Sequence, residues 1–337
     1  MGQMITVSLS SVFFDFIVGV EMVKTMDGTL AYFVSQLEAL DSKLYEPLYN
    51  TSWARDIKLR SGVTFGHDST AFTRIEWGAA GTQKANGMPF ISANATTLEG
   101  VSVDGERVVL PMRLLGRELS YSSVELERSQ LLGNSIDTQK FNALNVSYQL
   151  ATDKMVYVGC DEVTTNGQKV TGLLNNKDVT VGDVTKTWAT ATVDEILADV
   201  NSALERAWQA SGYSVCPNKL LLPPAQFALL AGKRIGDSGD TSVLKFLKDN
   251  TIALSINGSA LDIQPVKWLA GIGGSTGNGK DRMVVYTNDE DKVRFPLVPI
   301  RRETPYYHGI NFIAPYIWAF GEVEFVYPET VYYADGI

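Results

Sequence analysis

One stretch of the sequence has the spacing of a phosphate-binding loop. Residues 274–280 read G-S-T-G-N-G-K, and in such a loop backbone amides cradle the phosphates while the lysine reaches the outer ones. Asp281, however, stands where a serine or threonine would hold magnesium. Residues 282–287 read as a strand, whereas bound phosphates need the N-terminus of a helix. We therefore interpret the stretch as a flexible glycine turn and keep nucleotide hydrolysis as a remote alternative.

A second stretch has the residue types of a nucleophilic serine site. Residues 236–239 read G-D-S-G, as around the nucleophile of chymotrypsin-like proteases, and His67 precedes them in the chain. A catalytic triad requires a base that is hydrogen-bonded to the serine and a third group that orients the base. Asp240 stands where that protease family has glycine, and the rest of the sequence does not read as a double β-barrel. We interpret this stretch as a polar loop between two helices.

The histidines and cysteines give no support to metal or redox chemistry. His67 and His308 are the only histidines, and neither has a second candidate ligand at helical or strand spacing. Cys160 and Cys216 are the only cysteines, which provides neither a zinc pattern nor a disulfide framework. We therefore predict no catalytic residue, no cofactor and no metal site. The cysteines are expected to be buried and reduced, as in a reducing cytoplasm.

The composition indicates a large globular chain that does not bind phosphates through its charge. Its 337 residues exceed a typical domain, so we expect one large domain or two interleaved ones. A formal charge of -9 argues against a nucleic-acid binder, which needs clustered lysine and arginine. Asp15 and Glu21 interrupt the apolar run over residues 12–23, which is too short for a membrane span. We expect no membrane segment, and any role toward DNA is that of a container.

The first half of the chain predicts an arm followed by a long hairpin. Apolar residues recur at helical spacing over residues 30–44. Residues 70–76 and 107–115 read as outgoing and returning strands, and the stretch 78–105 between them is rich in glycine, alanine, asparagine and serine. A connection this long usually serves a function or a partner. We therefore predict that residues 56–115 form a hairpin that projects from the body.

The second half of the chain mixes helices with strands, which predicts the α+β class. The clearest local signal is the capping box of Thr192 and Glu195, ahead of an apolar helical stripe that ends at Gly212. Asn257 and Gly258 predict a hairpin turn between two strands. The other predicted elements are a helical segment over 122–132, a long helix from Asp137 as N-cap to just before Gly159, a strand over 219–222, helices over 224–232 and 242–248, the hairpin strands 252–256 and 260–265, and strands over 283–286, 293–299 and 311–333.

Aromatic residues concentrate near the end of the sequence. They alternate loosely with apolar neighbours, as in a packed sheet, so we assign them to the core or to a subunit interface rather than to ligand stacking. These residues are Tyr316, Trp318, Tyr327, Tyr332 and Tyr333.

Several segments resemble the major capsid proteins of tailed bacteriophages. Residues 153–176, D-K-M-V-Y-V-G-C-D-E-V-T-T-N-G-Q-K-V-T-G-L-L-N-N, resemble the segment that follows the long spine helix of these proteins, with its Gly-Leu-Leu-Asn turn. Arg55-Asp56-Ile57, residues 76–81 (E-W-G-A-A-G) and residues 327–337 resemble further segments of one capsid subfamily. The resemblance runs in matching order from about residue 28 onward. It implies the Hong Kong 97-type capsid fold.

This resemblance implies a division of the chain into five segments. They are an N-terminal arm over 1–55, an extended loop over 56–115, a P domain with the spine helix over 116–190, an A domain over 191–290 and the return strands of the P domain over 291–337. A domains of neighbouring copies would meet at the icosahedral axes, and the extended loop would lie over a neighbouring subunit. Large side chains on that loop would be costly to leave in water. The assembly residues predicted there are Trp77, Lys84, Met88, Phe90, Ile91 and Leu98.

The function implied by the resemblance is that of a shell subunit. Copies would assemble in the bacterial host cytoplasm into an icosahedral head shell, enclose the double-stranded DNA genome without specific binding, and stay in the virion capsid. Portal, scaffolding and decoration proteins are further candidate partners. The alternative on the same fold is an encapsulin, a bacterial shell that encloses cargo enzymes. Some members of the fold cross-link a loop lysine to a neighbour's asparagine; Lys84 is the only lysine in the loop tip, and no acceptor or glutamate base matches it.

Overall fold

The computed structural model describes residues 48–79, 93, 101–125, 127, 136–165, 168–235, 241–274 and 279–337. The predicted N-terminal helix, the loop tip, most of the predicted helical segment 122–132 and the G-D-S-G stretch lie outside these residues. Residues 50–337 form one compact unit. In the described part of the chain, no helix combines the length and the apolar character that a membrane span requires.

The helices are held by local signals that the sequence already contains. At the start of the helix Val193–Ala210, the Thr192 side chain accepts the Glu195 N–H (3.3 Å) and the Glu195 carboxylate accepts the Thr192 N–H (2.8 Å), which confirms the capping box. The helices are α1 (Trp53–Asp56), α2 (Ile136–Tyr157), α3 (Val193–Ala210), α4 (Pro224–Gly232), α5 (Val243–Asp249) and α6 (Ile252–Asn257), with 3-10 turns at Lys267–Leu269 and Pro328–Thr330.

The strands are mostly short and form several sheets. They are β1 (Lys58–Leu59), β2 (Ser69–Ala79), β3 (Val101–Pro111), β4 (Arg113–Ser122), β5 (Gly159–Thr165), β6 (Gln168–Thr171), β7 (Thr180–Asp183), β8 (Lys219–Leu222), β9 (Arg234–Ile235), β10 (Thr241–Ser242), β11 (Asp262–Pro265), β12 (Arg282–Tyr286), β13 (Val293–Phe295), β14 (Leu297–Arg302), β15 (Tyr306–His308), β16 (Asn311–Phe320), β17 (Glu324–Phe325) and β18 (Val331–Asp335). The small sheets are β1-β13-β17, β9-β10 and β5-β6.

A five-stranded mixed sheet separates two hydrophobic cores. Its order is β11-β8-β12-β18-β7, in which β12 runs antiparallel to both of its neighbours and the outer pairs are parallel. Side chains along a strand alternate between the two faces of a sheet. Leu221, Val284 and Tyr333 accordingly lie in one core, together with the C-terminal half of α2. Leu220 and Val285 lie in the other core, to which α3, α4, α5 and α6 contribute.

A longer sheet packs against α2, the spine helix. In this sheet β4 pairs antiparallel with the full length of β16, and β14 and β15 pair with the other edge of β16. Ring contacts join Phe141 to Tyr316 (5.8 Å) and Tyr148 to Trp318 (5.6 Å). The inner face of the long sheet, which carries these aromatic residues, is therefore the face that the helix covers.

β2 and β3 form a separate two-stranded antiparallel ribbon. Their register runs from Ser69 opposite Pro111 to Ala79 opposite Val101. The predicted outgoing strand is confirmed, and the predicted returning strand covers the end of β3 and the start of β4. An isolated two-stranded ribbon is only marginally stable in water. The ribbon therefore depends on what its base is attached to and on what covers its faces.

Two sequence predictions fail locally. The predicted hairpin at Asn257 and Gly258 is wrong, because residues 252–257 form α6 and Gly258, with φ of 68°, ends that helix in the left-handed conformation. Glycine tolerates positive φ in helix caps and tight turns alike, and a short apolar run suits either element. Asp137 was expected as the N-cap of the long helix, but α2 already begins at Ile136. The predicted end of that helix before Gly159 is confirmed.

Candidate assembly surfaces and the junction behind them

The ribbon presents aliphatic side chains to solvent. Ile75, Val103 and Val109 share one face of the ribbon and are 59%, 62% and 44% exposed. On the opposite face, Phe72 and Leu110 line a cavity of about 480 Å³ between the ribbon base and the body. Monomeric proteins seldom leave rows of large aliphatic side chains in water. The outward face of the ribbon is therefore a candidate surface for another chain.

Arginines and one buried glutamate fix the base of the ribbon to the body. Glu324 in β17 is fully buried and accepts hydrogen bonds from Arg60 Nη1 (2.6 Å) and Arg294 Nε (2.7 Å). Arg60 also donates to the Ala71 carbonyl in β2 (3.0 Å), and Arg74 donates to a backbone carbonyl of β17 (3.4 Å). Charge-assisted bonds of this kind are strong and directional. They set the direction in which the ribbon leaves the body.

Of the assembly residues predicted on the loop, only Trp77 lies among the described ones. It belongs to β2 and is in register with Val103. Lys84, Met88, Phe90, Ile91 and Leu98 lie outside the described residues. Their role stays a prediction. The sequence prediction did not include the aliphatic residues of the ribbon. The alternating valines at positions 101, 103 and 109 are a period-two signal from which these residues could have been predicted.

The outer face of the long sheet, opposite α2, carries apolar side chains that are only partly covered, beside the exposed Glu118 and Arg301. Register places Leu114 and Ile317 on this face, together with Ile313 and its partner Tyr306. Leu114 is 67% exposed and Tyr306 is 49% exposed, while the two isoleucines are half-buried. A sheet face of this kind is suited to pack against a second layer.

A cluster of Arg55, Asp56, Tyr157, Lys219 and Tyr286, here called the junction, joins α1 to α2 and to the five-stranded sheet; Arg55 lies at its exposed edge and the other four side chains are buried. The fully buried Asp56 carboxylate accepts two bonds from Arg55 (2.7 and 2.8 Å) and one from the Tyr157 hydroxyl, and it pairs with Lys219 Nζ (3.1 Å). Tyr286 donates to the Asp56 carbonyl. Burial, assisted by the Asp56 carboxylate, raises the pKa of Tyr157 and of Tyr286. Both hydroxyls therefore keep their protons and act as donors.

Asp153 of α2 provides the cap for the one-turn helix α1. Its Oδ1 accepts the backbone N–H groups of Ser52 (2.9 Å) and Trp53 (3.2 Å). Its Oδ2 accepts Trp268 Nε1 (2.8 Å) and lies 3.3 Å from Lys267 Nζ. A one-turn helix cannot satisfy its own first amides. A carboxylate on a distant helix satisfies them here, so α1 depends on α2.

The Gly-Leu-Leu-Asn turn closes the chain behind the spine helix. Asn175 Oδ1 accepts the Gly172 N–H (2.7 Å), and Asn175 Nδ2 donates to the Val158 carbonyl (2.8 Å). A Cβ atom on Gly172 would lie 2.4 Å from the carbonyl of Tyr157, so the close approach of the two backbones requires glycine. The turn thus fixes the strand that follows the helix against the end of the helix.

The last strand is tied to the same turn. Arg282 donates to both carboxylate oxygens of Asp335 (2.6 and 2.8 Å) and to the Leu174 carbonyl (2.7 Å). Tyr333, whose pKa is raised by burial, donates to the Leu173 carbonyl (2.6 Å). Three of the segments on which the resemblance rests therefore meet at the five-stranded sheet, although they are far apart in the sequence.

Residues 275–278 of the glycine-rich stretch lie outside the described residues, and the described end of the stretch leads into a strand. Lys280 forms a β-bridge with Gly273, and its Nζ lies 3.1 Å from Asp183 Oδ1. Arg282–Tyr286 follows as β12, as predicted, so the stretch does not open a helix. A phosphate-binding loop needs a helix N-terminus at this point.

The remaining residues of catalytic type make local or structural contacts. His67 Nδ1 lies 3.0 Å from the Thr64 hydroxyl, and His308 is exposed in β15. Both cysteines are free; Cys216 is buried as predicted, whereas Cys160 is half-buried. Among the residues that the structure describes, no three His, Cys, Asp or Glu side chains are grouped to hold a metal ion.

The aromatic residues near the end of the chain divide between core and surface. Trp318, Tyr332 and Tyr333 are buried in the two cores, as the sequence predicted. Tyr316 is half-buried near the start of the spine helix, and Tyr327 is 41% exposed with Lys292 over its ring. These last two are the residues for which an interface role is still open.

Comparison with known proteins relates the chain to one family. The family described as major capsid protein matches residues 87–337. No curated protein matches the sequence. Among solved structures, the chain is similar to one described as the capsid of Myoviridae phage XM1, with 17% identity and a TM-score of 0.73 over 90% of this chain and 98% of that chain.

Two further solved structures share the arrangement. A chain of Mycobacterium phage Ogopogo is 12% identical, with a TM-score of 0.55 over 90% of this chain and 98% of that chain. A chain of the capsid of a native GTA particle is 11% identical, with a TM-score of 0.59 over 88% and 94%. Similarities at this level of identity establish the fold, and they confirm the α+β Hong Kong 97-type arrangement expected from the sequence.

Proposed function

The chain belongs to the major capsid protein family, and from that premise we propose that its copies form the icosahedral head shell around the double-stranded DNA of a tailed bacteriophage. The family match over residues 87–337 carries this proposal. The fold shared with the phage XM1 capsid chain supports it over almost the whole length of that chain. The work of such a protein is done by contacts between copies, without a catalytic residue, a cofactor or a metal.

Within this fold we assign the segments as the sequence resemblance implies. They are the arm (1–55), the extended loop (56–115), the P domain (116–190 and 291–337) and the A domain (191–290). The five-stranded sheet takes three strands from the A-domain segment and one from each flanking P-domain segment. The two domains therefore interleave, which makes each subunit a stiff unit for assembly.

The extended loop is assigned to a contact between neighbouring copies. The outward face of the ribbon, with Ile75, Val103 and Val109, and the outer face of the long sheet, with Leu114 and Ile317, are both apolar and partly exposed. Two sheets can pack face to face and exclude water between them. The ribbon of one copy would thus lie on the long sheet of the next. Each such contact is modest, but a closed shell repeats it in every subunit.

The charge of the chain suits a container for DNA. A net charge of -9 gives a wall that repels phosphates, which favours filling and release over tight binding. Portal, scaffolding and decoration proteins are proposed partners of the assembled shell. Assembly in the bacterial host cytoplasm and residence in the virion capsid complete the proposal.

Electron microscopy of the purified protein tests this function. We expect closed shells, or rings of six and five subunits, because the exposed apolar faces of ribbon and sheet need cover. A stable monomer at high concentration and neutral pH, measured by light scattering, would contradict the proposal. Terminase and portal genes next to the coding sequence would separate a phage capsid from an encapsulin, which would instead stand beside a cargo enzyme.

A further inference from the structure

An aromatic groove opens between the start of the spine helix and the inner face of the long sheet. Its volume is about 240 Å³, and its walls include Tyr121, Phe141, Phe312 and Tyr316. Phe141 on the helix is 43% exposed, although its ring packs against that of Tyr316 with the ring centroids 5.8 Å apart. The groove is therefore a formed feature with ordered walls, and it is open to an occupant.

Two arginines without an acidic partner flank this groove. Arg117 of β4 and Arg302 of β14 both lie directly opposite Tyr316, on its two sides, and both are exposed. Neither has an ion pair within the described parts of the chain, and no acidic residue lines the groove. The neighbouring Arg301, in contrast, is paired with Glu303 (2.6 Å). Within the part of the chain that the structure describes, the groove thus combines apolar walls with two arginines that lack an acidic partner.

The most exposed aromatic side chain of the described residues stands beside the groove. Tyr307 is 77% exposed, and its ring is tilted against that of Phe312 with the ring centroids 5.2 Å apart. Ile310 in the adjacent turn is 67% exposed. These residues extend the apolar surface beyond the groove itself. A surface of this kind marks an interaction site more often than bare solvent.

We infer that the groove docks an acidic segment of a second copy of this chain, at a contact distinct from the one made by the ribbon. The chain has 38 acidic and 29 basic residues, so a second copy offers more acidic than basic side chains as complements to Arg117 and Arg302. An aliphatic or aromatic residue next to the acid would enter between the aromatic walls. This inference rests on the proposed function, because only an assembly of copies brings that surface to the groove.

The chemistry of the groove favours protein over DNA as its occupant. Double-stranded DNA would offer phosphates to the arginines, but its bases are stacked inside the duplex and could not reach the aromatic rings. A peptide that carries both an acidic and an apolar side chain would contact both the two arginines and the aromatic walls of the groove.

Photo-cross-linking within assembled shells tests the inference. A benzophenone amino acid replaces Phe141, which tolerates a larger ring because it is 43% exposed, in shells mixed from 14N- and 15N-labelled protein. We expect cross-linked peptide pairs of unlike isotope, with the second peptide containing Asp or Glu. Cross-links to nucleic acid, cross-links within one chain only, or their absence from well-formed shells would overturn it. If the unmodified protein formed no shells, the proposed function itself would fail.

A charge substitution gives an independent measurement. Arg302→Glu should raise the protein concentration needed for assembly at least about tenfold, because it places like charges in contact. Lys245→Glu is the matched control, since Lys245 is an exposed cation on α5, and α5 does not line the groove. It should change that concentration less than about twofold. Equal effects of the two substitutions, or no effect of Arg302→Glu, would show that the groove is not a contact between copies.

Discussion

The junction and the ribbon differ in where their partners come from. In the junction, the buried Asp56 and Lys219 find every partner within their own chain. In the ribbon, Ile75 and Val103 stay in solvent although burial would stabilise each by about 1.5–3 kcal/mol. The junction is thus complete in one copy, whereas we propose that another copy covers the ribbon. Substitutions in the two regions should separate folding from assembly.

The largest effect is expected from Asp56→Ala in the junction. The substitution removes the carboxylate that pairs with Arg55 and Lys219 and leaves Lys219 with the partly exposed Asp262. Removal of one member of a buried pair costs about 3–5 kcal/mol. Denaturant unfolding of unassembled subunits measures the free energy of unfolding. Asp183→Ala is the control, because that carboxylate is 71% exposed and its loss should cost less than about 1 kcal/mol. Equal costs would mean that the junction does not hold the subunit together.

Deletion of residues 82–98 should affect assembly alone. This segment holds five of the predicted assembly residues and lies between β2 and β3 in the sequence, so we predict that its loss leaves the junction and the two cores intact. We expect a folded, soluble subunit with near-native circular dichroism that no longer closes into shells. An unfolded subunit would assign the segment to the core, and normal shells would shift assembly to the spine helix and the A domain.

Val103→Asp should weaken assembly without unfolding the subunit. The valine is 62% exposed on the ribbon, so a carboxylate costs little in the free subunit but is desolvated at the contact. The concentration needed for assembly should rise at least about tenfold. Val181→Asp is the matched control, a strand valine that is 50% exposed in β7 outside the ribbon. Light scattering of a dilution series measures both, and a larger effect of the control would contradict the assignment.

The smallest effect is expected from Lys280→Ala. This lysine has the phosphate-binding position of the glycine-rich stretch, but it forms only an exposed ion pair with Asp183, worth less than about 1 kcal/mol. Shells should form as in the unchanged protein. Phosphate release from ATP, measured on both proteins, should be absent from both. Turnover that is present in the unchanged protein and lost in the variant would restore the nucleotide-hydrolase alternative.

The sequence predicted the elements whose signals are local. Thr192 and Glu195 lie within one turn of each other, and their capping box needs no information from elsewhere in the chain. The ribbon strands could be recognised from period-two alternation around a polar stretch. The failure at Gly258 has a local cause as well, since the same glycine conformation ends a helix or forms a tight turn.

Long-range contacts were beyond prediction from a single sequence. Arg60 and Glu324 are separated by 264 positions, and the sequence around either residue does not predict their ion pair. The same holds for Arg117 and Arg302, which flank Tyr316 only because three strands align. The resemblance supplied the order of the segments, but it did not say which side chains join them. Fold order was thus predictable, and the contacts that direct the ribbon were not.

The central position of β18 has a consequence for the timing of synthesis. β18 lies between β12 and β7, so these two strands have no common neighbour until residue 335 has left the ribosome. About 150 residues separate β7 from β18, which at cellular translation rates is a delay of roughly 8 to 30 seconds. During this interval the nascent chain cannot complete its central sheet. The subunit thus becomes competent to associate only after β18 has been synthesised.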